Sequence, residues 1–146
     1  MSEALIREAT EQDARPISEI ESLSFKTPWS YDMVLSEMRE PLAHFYVAYV
    51  GDTLVGYYGF LHILDELHIL NVAVHPSFRE QGIGRKLMAH MTEVARSLKA
   101  RAMTLEVRES NQAAIRLYER AGFVLEGTRP HYYMDKENAL IYWKEL

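Results

Sequence analysis

The chain has 146 residues, of which 48% are hydrophobic and 25% are charged, as is usual for a globular protein with one core. The absence of cysteine excludes disulfides, thiolate metal sites and a cysteine nucleophile. A formal net charge of -5 does not favour nucleic acid binding, and the charged N-terminus lacks the long apolar run of a signal peptide or membrane span. We therefore expect one domain over residues 1–146 in a cytoplasmic protein that binds neither nucleic acid nor membrane.

The N-terminal segment predicts a strand followed by a helix. The strand covers Ala4 to Arg7, and either Thr10 or Asp13 can cap the helix. Apolar positions recur every three residues along that helix, as a buried face requires, at Ile17, Ile20 and Leu23.

The loop from Phe25 to Ser30 leads into a second helix, which Ser30 can cap. Trp29 can pack on Val34 as a hydrophobic staple. Alternatively, this aromatic loop between two helices forms the lip of a substrate groove. The sequence leaves both interpretations open.

The rest of the chain alternates strands with helices. Strands are predicted at His44 to Val50, Thr53 to Leu64, Leu67 to Val74, Ala102 to Val107, Phe123 to Gly127 and Ala139 to Trp143. Helices are predicted from Gly84 to about Lys99 and from Asn111 to Ala121. This pattern predicts an α/β fold in which Leu67 to Ala121 forms a right-handed crossover unit, with the strand from Leu67 central and covered on both faces.

The turn Gly82–Gly84 joins the central strand to a helix and predicts an anion cradle. Backbone N–H groups at a helix N-terminus are free to bind an anion, and glycines with positive φ let the backbone approach it closely. Three side chains add positive charge: Arg79, Arg85 and Lys86. The P-loop and dinucleotide patterns are incomplete here, so the ligand stays open, and a simple tight turn is the alternative.

The segment from Leu105 to Phe123 carries candidate catalytic side chains. Glu106 alternates with Leu105 and Val107, so its carboxylate faces away from both, near the end of its strand. Tyr118 lies on the following helix, and Asn111 lies at its start. In the structural alternative, Glu106 is a solvated strand residue, Tyr118 is a core aromatic and Asn111 is a helix cap.

Two of these segments together resemble the GCN5-related N-acetyltransferases, the GNAT family. They are VAVHPSFREQGIG, which fits the acyl-CoA motif Arg/Gln-x-x-Gly-x-Gly/Ala, and LEVRESNQAAIRLYERAGF. TPWS at Thr27 to Ser30 and HYY at His131 to Tyr133 resemble its RimI type, the ribosomal-protein-alanine N-acetyltransferases. The resemblance covers nearly the whole chain. It implies a single acetyltransferase domain with a mixed, mostly antiparallel sheet of six or seven strands and helices on both faces.

The resemblance also implies that acetyl-CoA is the co-substrate and that no metal takes part. The backbone of the central strand would pair with the pantetheine arm, and the amides from Glu80 to Arg85 would hold the pyrophosphate. The residues expected at the cofactor are Val72, Ala73, Val74, Arg79, Glu80, Gln81, Gly82, Ile83, Gly84, Arg85 and Asn111.

In the same family pattern, Glu106 accepts a proton and Tyr118 donates one to the departing thiolate. An N-terminal amine has a pKa near 8 and is largely protonated at neutral pH, so a carboxylate must take its proton directly or through water. A backbone amide of the central strand, for example that of Val74, would stabilise the oxyanion. The acetyl group would pass directly between the two substrates.

The implied acceptor is the N-terminal α-amine of a protein, expected to be the N-terminal alanine of a small-subunit ribosomal protein. Trp29, Tyr132 and Tyr133 would line its groove, and only one of two adjacent tyrosines in a strand would face it. The family subgroup has an acidic pair before the last strand, whereas Glu137 is followed by Asn138 here. A lysine, a polyamine or another small amine is therefore the alternative acceptor, and a non-catalytic acyl-CoA binding module is the second alternative.

Overall fold

The computed structural model describes residues 3–146. The strands are β1 Leu5–Glu8, β2 Ala43–Val50, β3 Thr53–Ile63, β4 Glu66–Val74, β5 Ala102–Arg108, β6 Val124–Arg129 and β7 Ala139–Glu145. The helices are α1 Ala14–Ser24, α2 Tyr31–Met38, α3 Ile83–Ser97 and α4 Gln112–Arg120. Short 3-10 turns precede α1 and α3 at Glu11–Asp13 and Pro76–Phe78. No helix in this described part of the chain has the length and apolarity of a membrane-crossing segment.

The seven strands form one sheet in the order β1-β2-β3-β4-β5-β7-β6. Every neighbouring pair is antiparallel except β4 with β5, which confirms the mixed, mostly antiparallel sheet. β4 is the central strand and is covered on both faces, as its apolar sequence predicts. Leu67, Ile69 and Val72 belong to one buried cluster, whereas Leu70 and Ala73 pack in the other.

Helices cover both faces of the sheet because each carries an apolar stripe. The first buried cluster holds Leu87 and Met91 of α3 together with Ile115 and Tyr118 of α4. The second cluster holds Ile17 and Ile20 of α1 with Val34 of α2. The predicted layering of the α/β fold is therefore confirmed.

Side-chain caps fix the starts of α2 and α4, at the residues that the sequence predicts. The Ser30 hydroxyl accepts a hydrogen bond from the Met33 N–H at 3.2 Å, at the start of α2. The Asn111 Oδ1 accepts one from the Ala114 N–H, also at 3.2 Å, at the start of α4. After α4, Gly122 takes the left-handed conformation with a φ of 96°.

The predicted position of Leu23 on the buried face of α1 is wrong. Its side chain is 54% exposed, whereas Glu21 is only 1% exposed. Ile20 and Glu21 follow Ile17 by three and four residues, which is the spacing that keeps one helix face toward the core. A carboxylate therefore occupies a core position of α1.

The sheet opens between its two central strands. β4 and β5 pair only over Glu66–His68 and Ala102–Thr104. Beyond that point β4 continues beside β3 to Val74, and β5 continues beside β7 to Arg108. Within residues 3–146, the β5-facing backbone edge of segment 69–74 therefore has no strand partner. The resulting gap is bordered by the loop that leads into α3.

Candidate active site

The loop between β4 and α3 has a backbone conformation suited to an anion. Glu80 has a φ of 62° and Gly82 a φ of 82°, so two residues of this short loop are left-handed. Gly82 is the N-cap of α3, where the first N–H groups lack intrahelical acceptors and the helix dipole favours negative charge. A Cβ on Gly82 would meet no atom within 4 Å, so crowding does not require a glycine here. The positive φ does, because residues with a Cβ rarely adopt it. The loop fits the predicted cradle.

Two details predicted for this cradle are wrong. Gly84 has no positive φ because it lies in the first turn of α3, and a Cβ there would lie 3.3 Å from the Leu117 side chain. Its small size therefore allows α3 to approach α4. Lys86 turns away from the loop, since its ammonium donates to the Ala4 carbonyl and lies 3.7 Å from the Glu3 carboxylate.

The two arginines of the cradle are placed differently. Arg79 folds back onto the sheet, where its Nε donates to the Val74 carbonyl at 3.1 Å and its Nη2 to the Ser24 hydroxyl at 3.2 Å. Arg85 is exposed on the first turn of α3, as are the side chains of Glu80 and Gln81 in the loop, whereas Ile83 is buried. Of the two arginines, Arg85 is the better placed to meet a phosphate.

The end of β4 offers its backbone rather than its side chains. Val72 and Ala73 are 8% and 7% exposed and pack in opposite clusters. Because their side chains leave the strand through its two faces, only backbone groups line the in-plane edge that runs to Val74. An extended ligand can pair with that edge as an added strand.

Glu106 faces the side of the sheet opposite to its neighbours, as predicted. Leu105 and Val107 are 4% and 6% exposed in the first cluster, whereas the Glu106 side chain is 34% exposed. Its Oε2 lies 3.2 Å from the Nε of Arg129 at the end of β6. Arg129 was not identified from the sequence, because the ion pair depends on β6 and β5 flanking β7.

Tyr118 projects from α4 and is 6% exposed, with its ring 5.8 Å from that of Phe123. Burial raises the pKa of Tyr118 above its ordinary value, and the nearby Tyr133 phenol adds to the shift. The hydroxyl therefore stays protonated at neutral pH. A protonated phenol is the form that can donate a proton.

The prediction that Tyr132 and Tyr133 point opposite ways from a strand is wrong. β6 ends at Arg129 and Pro130 follows, so both tyrosines lie in the β6–β7 loop. Their ring centroids are 5.1 Å apart with planes at 82°, so the two rings contact each other edge to face. Burial raises the pKa of Tyr133, Arg108 opposes that shift and the charge of Glu106 adds to it. Tyr133 thus lies near both Glu106 and Tyr118.

Ion pairs join the β6–β7 loop to the α1–α2 loop. The Arg108 Nη1 lies 3.0 Å from Asp135 and 2.8 Å from Glu137, and the Lys26 Nζ lies 3.1 Å from Asp135. The Glu137 N–H first, and then Lys26 and Arg108, hold the pKa of Asp135 at about 2. Asp135 and Glu137 thus share Arg108 as their partner.

Trp29 packs against the second buried cluster, which contains Val34, and its ring lies 6.4 Å from that of Phe45. This contact agrees with the staple interpretation. Ion pairs of Lys26 join the loop that carries Trp29 to the loop of Tyr132 and Tyr133. The role of Trp29 in lining a substrate groove stays a prediction. Asn111 uses its side-chain oxygen as a helix cap, which leaves its amide nitrogen for any contact with a cofactor.

In the part of the chain that the structure describes, no group of three histidine, aspartate or glutamate side chains converges as a metal site requires. The expectation of a metal-free reaction stays a prediction.

Comparison with known proteins agrees with this geometry. Residues 6–123 match the model of the Acetyltransferase (GNAT) family. The chain belongs to the GNAT family and is therefore an N-acetyltransferase by family. This confirms the family recognised from its two motifs.

Its relatives include named ribosomal-protein acetyltransferases. The chain is 37% identical over 144 residues, 97% of its length and 95% of the relative's, to a Bacillus subtilis protein provisionally named a [ribosomal protein bS18]-alanine N-acetyltransferase. It is 34% identical to the Escherichia coli (strain K12) enzyme of that name, over 84% of each chain. The crystal structure of the ribosomal-protein-S18-alanine N-acetyltransferase from Escherichia coli has a TM-score of 0.90, covering 98% of this chain and 94% of that one at 29% identity.

A more distant structure from Salmonella typhimurium, yncA, shares the fold at 22% identity with a TM-score of 0.80, covering 98% of this chain and 94% of that one. That protein was solved with its cofactor acetyl-CoA.

Proposed function

We propose that this acetyltransferase transfers the acetyl group of acetyl-CoA to the N-terminal α-amine of a protein, with the N-terminal alanine of ribosomal protein bS18 as the expected acceptor. The observation that carries the proposal is the gap between β4 and β5, bordered by the free amides of the β4–α3 loop and by Glu106. The names of the Bacillus subtilis and Escherichia coli relatives support the acceptor. A ribosomal acceptor agrees with the expected cytoplasmic location.

The proposed binding of acetyl-CoA uses backbone groups. The unpaired edge of β4 from Val72 to Val74 would hold the pantetheine arm by strand-like hydrogen bonds. The amides from Glu80 to Arg85 would hold the pyrophosphate, because both the left-handed loop and the helix N-terminus present N–H groups to an anion. The free amide nitrogen of Asn111 would add a contact.

The proposed chemistry needs one base and one acid. Glu106 would accept a proton from the acceptor ammonium, directly or through water, so that the neutral amine can attack the thioester carbonyl. The ammonium would compete with Arg129 for this carboxylate. Tyr118 would then give its proton to the sulfur as the thiolate leaves, since its raised pKa keeps the phenol protonated until that step.

The proposed acceptor groove lies between two loops. Trp29 belongs to the α1–α2 loop, and Tyr132 and Tyr133 belong to the β6–β7 loop. Asp135 of the second loop pairs with Lys26 of the first and with Arg108 at the end of β5. A groove between two loops tied in this way would favour a flexible chain end over an internal segment of a folded protein.

Mass spectrometry tests the acceptor. The protein is incubated with acetyl-CoA and three peptides: the N-terminal segment of bS18, the same segment with its N-terminus blocked, and a blocked segment that carries lysine. We expect the acetyl group on the α-amine of the first peptide only. Acetylation of only the blocked lysine peptide would contradict the acceptor assignment. Binding of acetyl-CoA without amine-dependent release of CoA would instead indicate a binding module.

A further inference from the structure

Glu21 is a buried carboxylate that the proposed chemistry does not use. It is 1% exposed on α1, and within residues 3–146 no basic group pairs with it in a salt bridge. Burying an ion without a counter-charge costs free energy, and an apolar side chain such as Ile17 or Ile20 fills the same stripe without that cost. A glutamate here therefore calls for an explanation other than packing.

The carboxylate is a shared acceptor for three separate elements. Its Oε1 accepts the Trp29 N–H of the α1–α2 loop at 2.9 Å. Its Oε2 accepts the Asn71 side-chain N–H of β4 at 2.9 Å and also the Tyr57 hydroxyl of β3. One side chain thus fixes the loop, the central strand and the neighbouring strand relative to α1.

Two of these partners border the proposed substrate sites. Asn71 lies where the β3–β4 register shifts, since Gly59 pairs with Asn71 but the next residue, Phe60, pairs with Ile69. This bulge falls within the part of β4 that β5 no longer accompanies. Trp29 lies in the loop proposed as one lip of the acceptor groove. Glu21 therefore connects the lip of the groove to the strand at its base.

We propose that Glu21 is a positioning residue for the acceptor peptide, whose ionised carboxylate holds the Trp29 loop against the bulge of β4. This inference rests on the proposed function, because it concerns the acceptor side of the same site. It assigns Glu21 neither a chemical step nor a contact with acetyl-CoA.

The surroundings of Glu21 make this tether sensitive to pH. Burial raises the pKa of Glu21 to about 7, while the Trp29 N–H and the Asn71 amide oppose the shift. Tyr57 is the titratable group that faces it from β3, whereas Trp29 and Asn71 are neutral, and Lys26 in the loop is paired with Asp135. When Glu21 is protonated, one of its oxygens carries the proton and accepts hydrogen bonds less well, although three donors still point at the carboxyl group. The tether should therefore weaken as pH falls through about 7.

The test measures the affinity of the acetylated product peptide, which has no titrating amine. The peptide carries no ionisable side chain and an amidated C-terminus, and its Kd is measured by calorimetry at about pH 6 and about pH 8. We expect wild-type affinity to be roughly threefold to tenfold weaker at the lower pH, which corresponds to about one lost hydrogen bond. Glu21→Gln should show the weaker affinity at both pH values.

Two variants complete the design. Glu19→Gln changes an exposed glutamate of the same helix and should keep the wild-type pH dependence. Tyr57→Phe removes one donor to the Glu21 carboxylate while keeping the ring, so the pKa of Glu21 should rise and the loss of peptide affinity should move to higher pH. This variant tests the inference even if Glu21→Gln does not fold. Unchanged affinity and pH dependence in Glu21→Gln would overturn the inference.

Acetyl-CoA affinity separates this inference from the proposed function. We expect Glu21→Gln to bind acetyl-CoA as tightly as the wild type, and equal losses on both substrates would mean a general structural role. A wild-type protein that transfers no acetyl group to any N-terminus would contradict the proposed function itself. Normal transfer with no effect of Glu21→Gln on the peptide would contradict only the inference.

Discussion

Glu106 and Tyr118 stand in different environments, and the difference suits the different roles proposed for them. Glu106 is partly exposed beside Arg129, so an incoming ammonium can reach its carboxylate. Tyr118 is buried, and its raised pKa keeps the phenol protonated. An accessible carboxylate and a protonated phenol are the forms that the proposed base and acid need.

Glu106→Gln should lower kcat by about two orders of magnitude or more, the usual scale for loss of a general base. Activity should recover in part as pH rises, because more of the acceptor amine is then neutral. Stopped-flow or coupled assays of CoA release across pH measure both effects. Unchanged turnover would assign proton removal to water alone.

Tyr118→Phe should slow the chemical step and leave the Kd for acetyl-CoA near the wild-type value, because the ring that packs on Phe123 is retained. Single-turnover kinetics measure the step, and calorimetry measures the affinity. A large loss of acetyl-CoA affinity with normal chemistry would make Tyr118 a packing residue.

At the scale of elements, the β4–α3 loop depends on a left-handed glycine. Gly82→Ala should destabilise the fold by about 1 kcal/mol, because an L-residue is strained at positive φ, and it should also weaken acetyl-CoA binding. Gly51→Ala is a matched control, since Gly51 has a φ of 60° in the β2–β3 turn with equally open space around it. Thermal unfolding should show similar losses for both. Equal acetyl-CoA affinity in the two variants would exclude the loop from the cofactor site.

The two loops of the acceptor groove depend on Arg108. Arg108→Met should raise the KM for the peptide severalfold while acetyl-CoA affinity is kept, because it frees Asp135 and Glu137 from β5. Arg101→Met is the control, since Arg101 pairs with Asp65 and Glu66 at the other end of β5. A similar change in peptide KM for both variants would show that the effect is general rather than local.

For the whole molecule, two buried carboxylates shift stability in opposite directions. Asp13 is 2% exposed, and although burial opposes it, hydrogen bonds from Arg7, Tyr49 and the Thr10 N–H lower its pKa. Glu21 has only neutral donors, and burial raises its pKa to about 7. Asp13 therefore contributes stability above the ordinary aspartate pKa and loses it as pH falls through its lowered value. Glu21 lowers stability as pH rises from 4.5 to about 7, because the folded state keeps a proton there that the unfolded state has lost, so that unfolding releases it.

Urea unfolding across pH checks both signs. Asp13→Asn should cost about 1–3 kcal/mol at neutral pH, and its difference from the wild type should shrink below about pH 4. Glu21→Gln should remove the decline that the wild type shows between 4.5 and about 7. Parallel curves for Glu21→Gln and the wild type in that interval would contradict the raised pKa.

Much of this arrangement could be predicted from the chain. Alternation on β5 predicted the facing of Glu106, and the glycine turn predicted the left-handed Gly82, because both depend on neighbours in sequence. The burial of Glu21 was not predicted, because a charged side chain is normally expected on the exposed face of a helix. The available signal was its position four residues after Ile17, on the same helix face. The pairing of Arg129 with Glu106 depends on which strands are neighbours in the sheet, and the loop position of Tyr132 depends on where β6 ends. The pattern of neighbouring residues in the sequence contains neither piece of information.

The short parallel ladder between β4 and β5 has a consequence for the life of the protein in the cell. β4 and β5 share only three residue pairs, so the two halves of the sheet are joined weakly there. A coenzyme bound in the gap between these strands would add hydrogen bonds that the free protein lacks. A small molecule that binds only the native form protects that form in proportion to its concentration. We therefore expect the enzyme to unfold and be degraded more easily when acetyl-CoA is scarce.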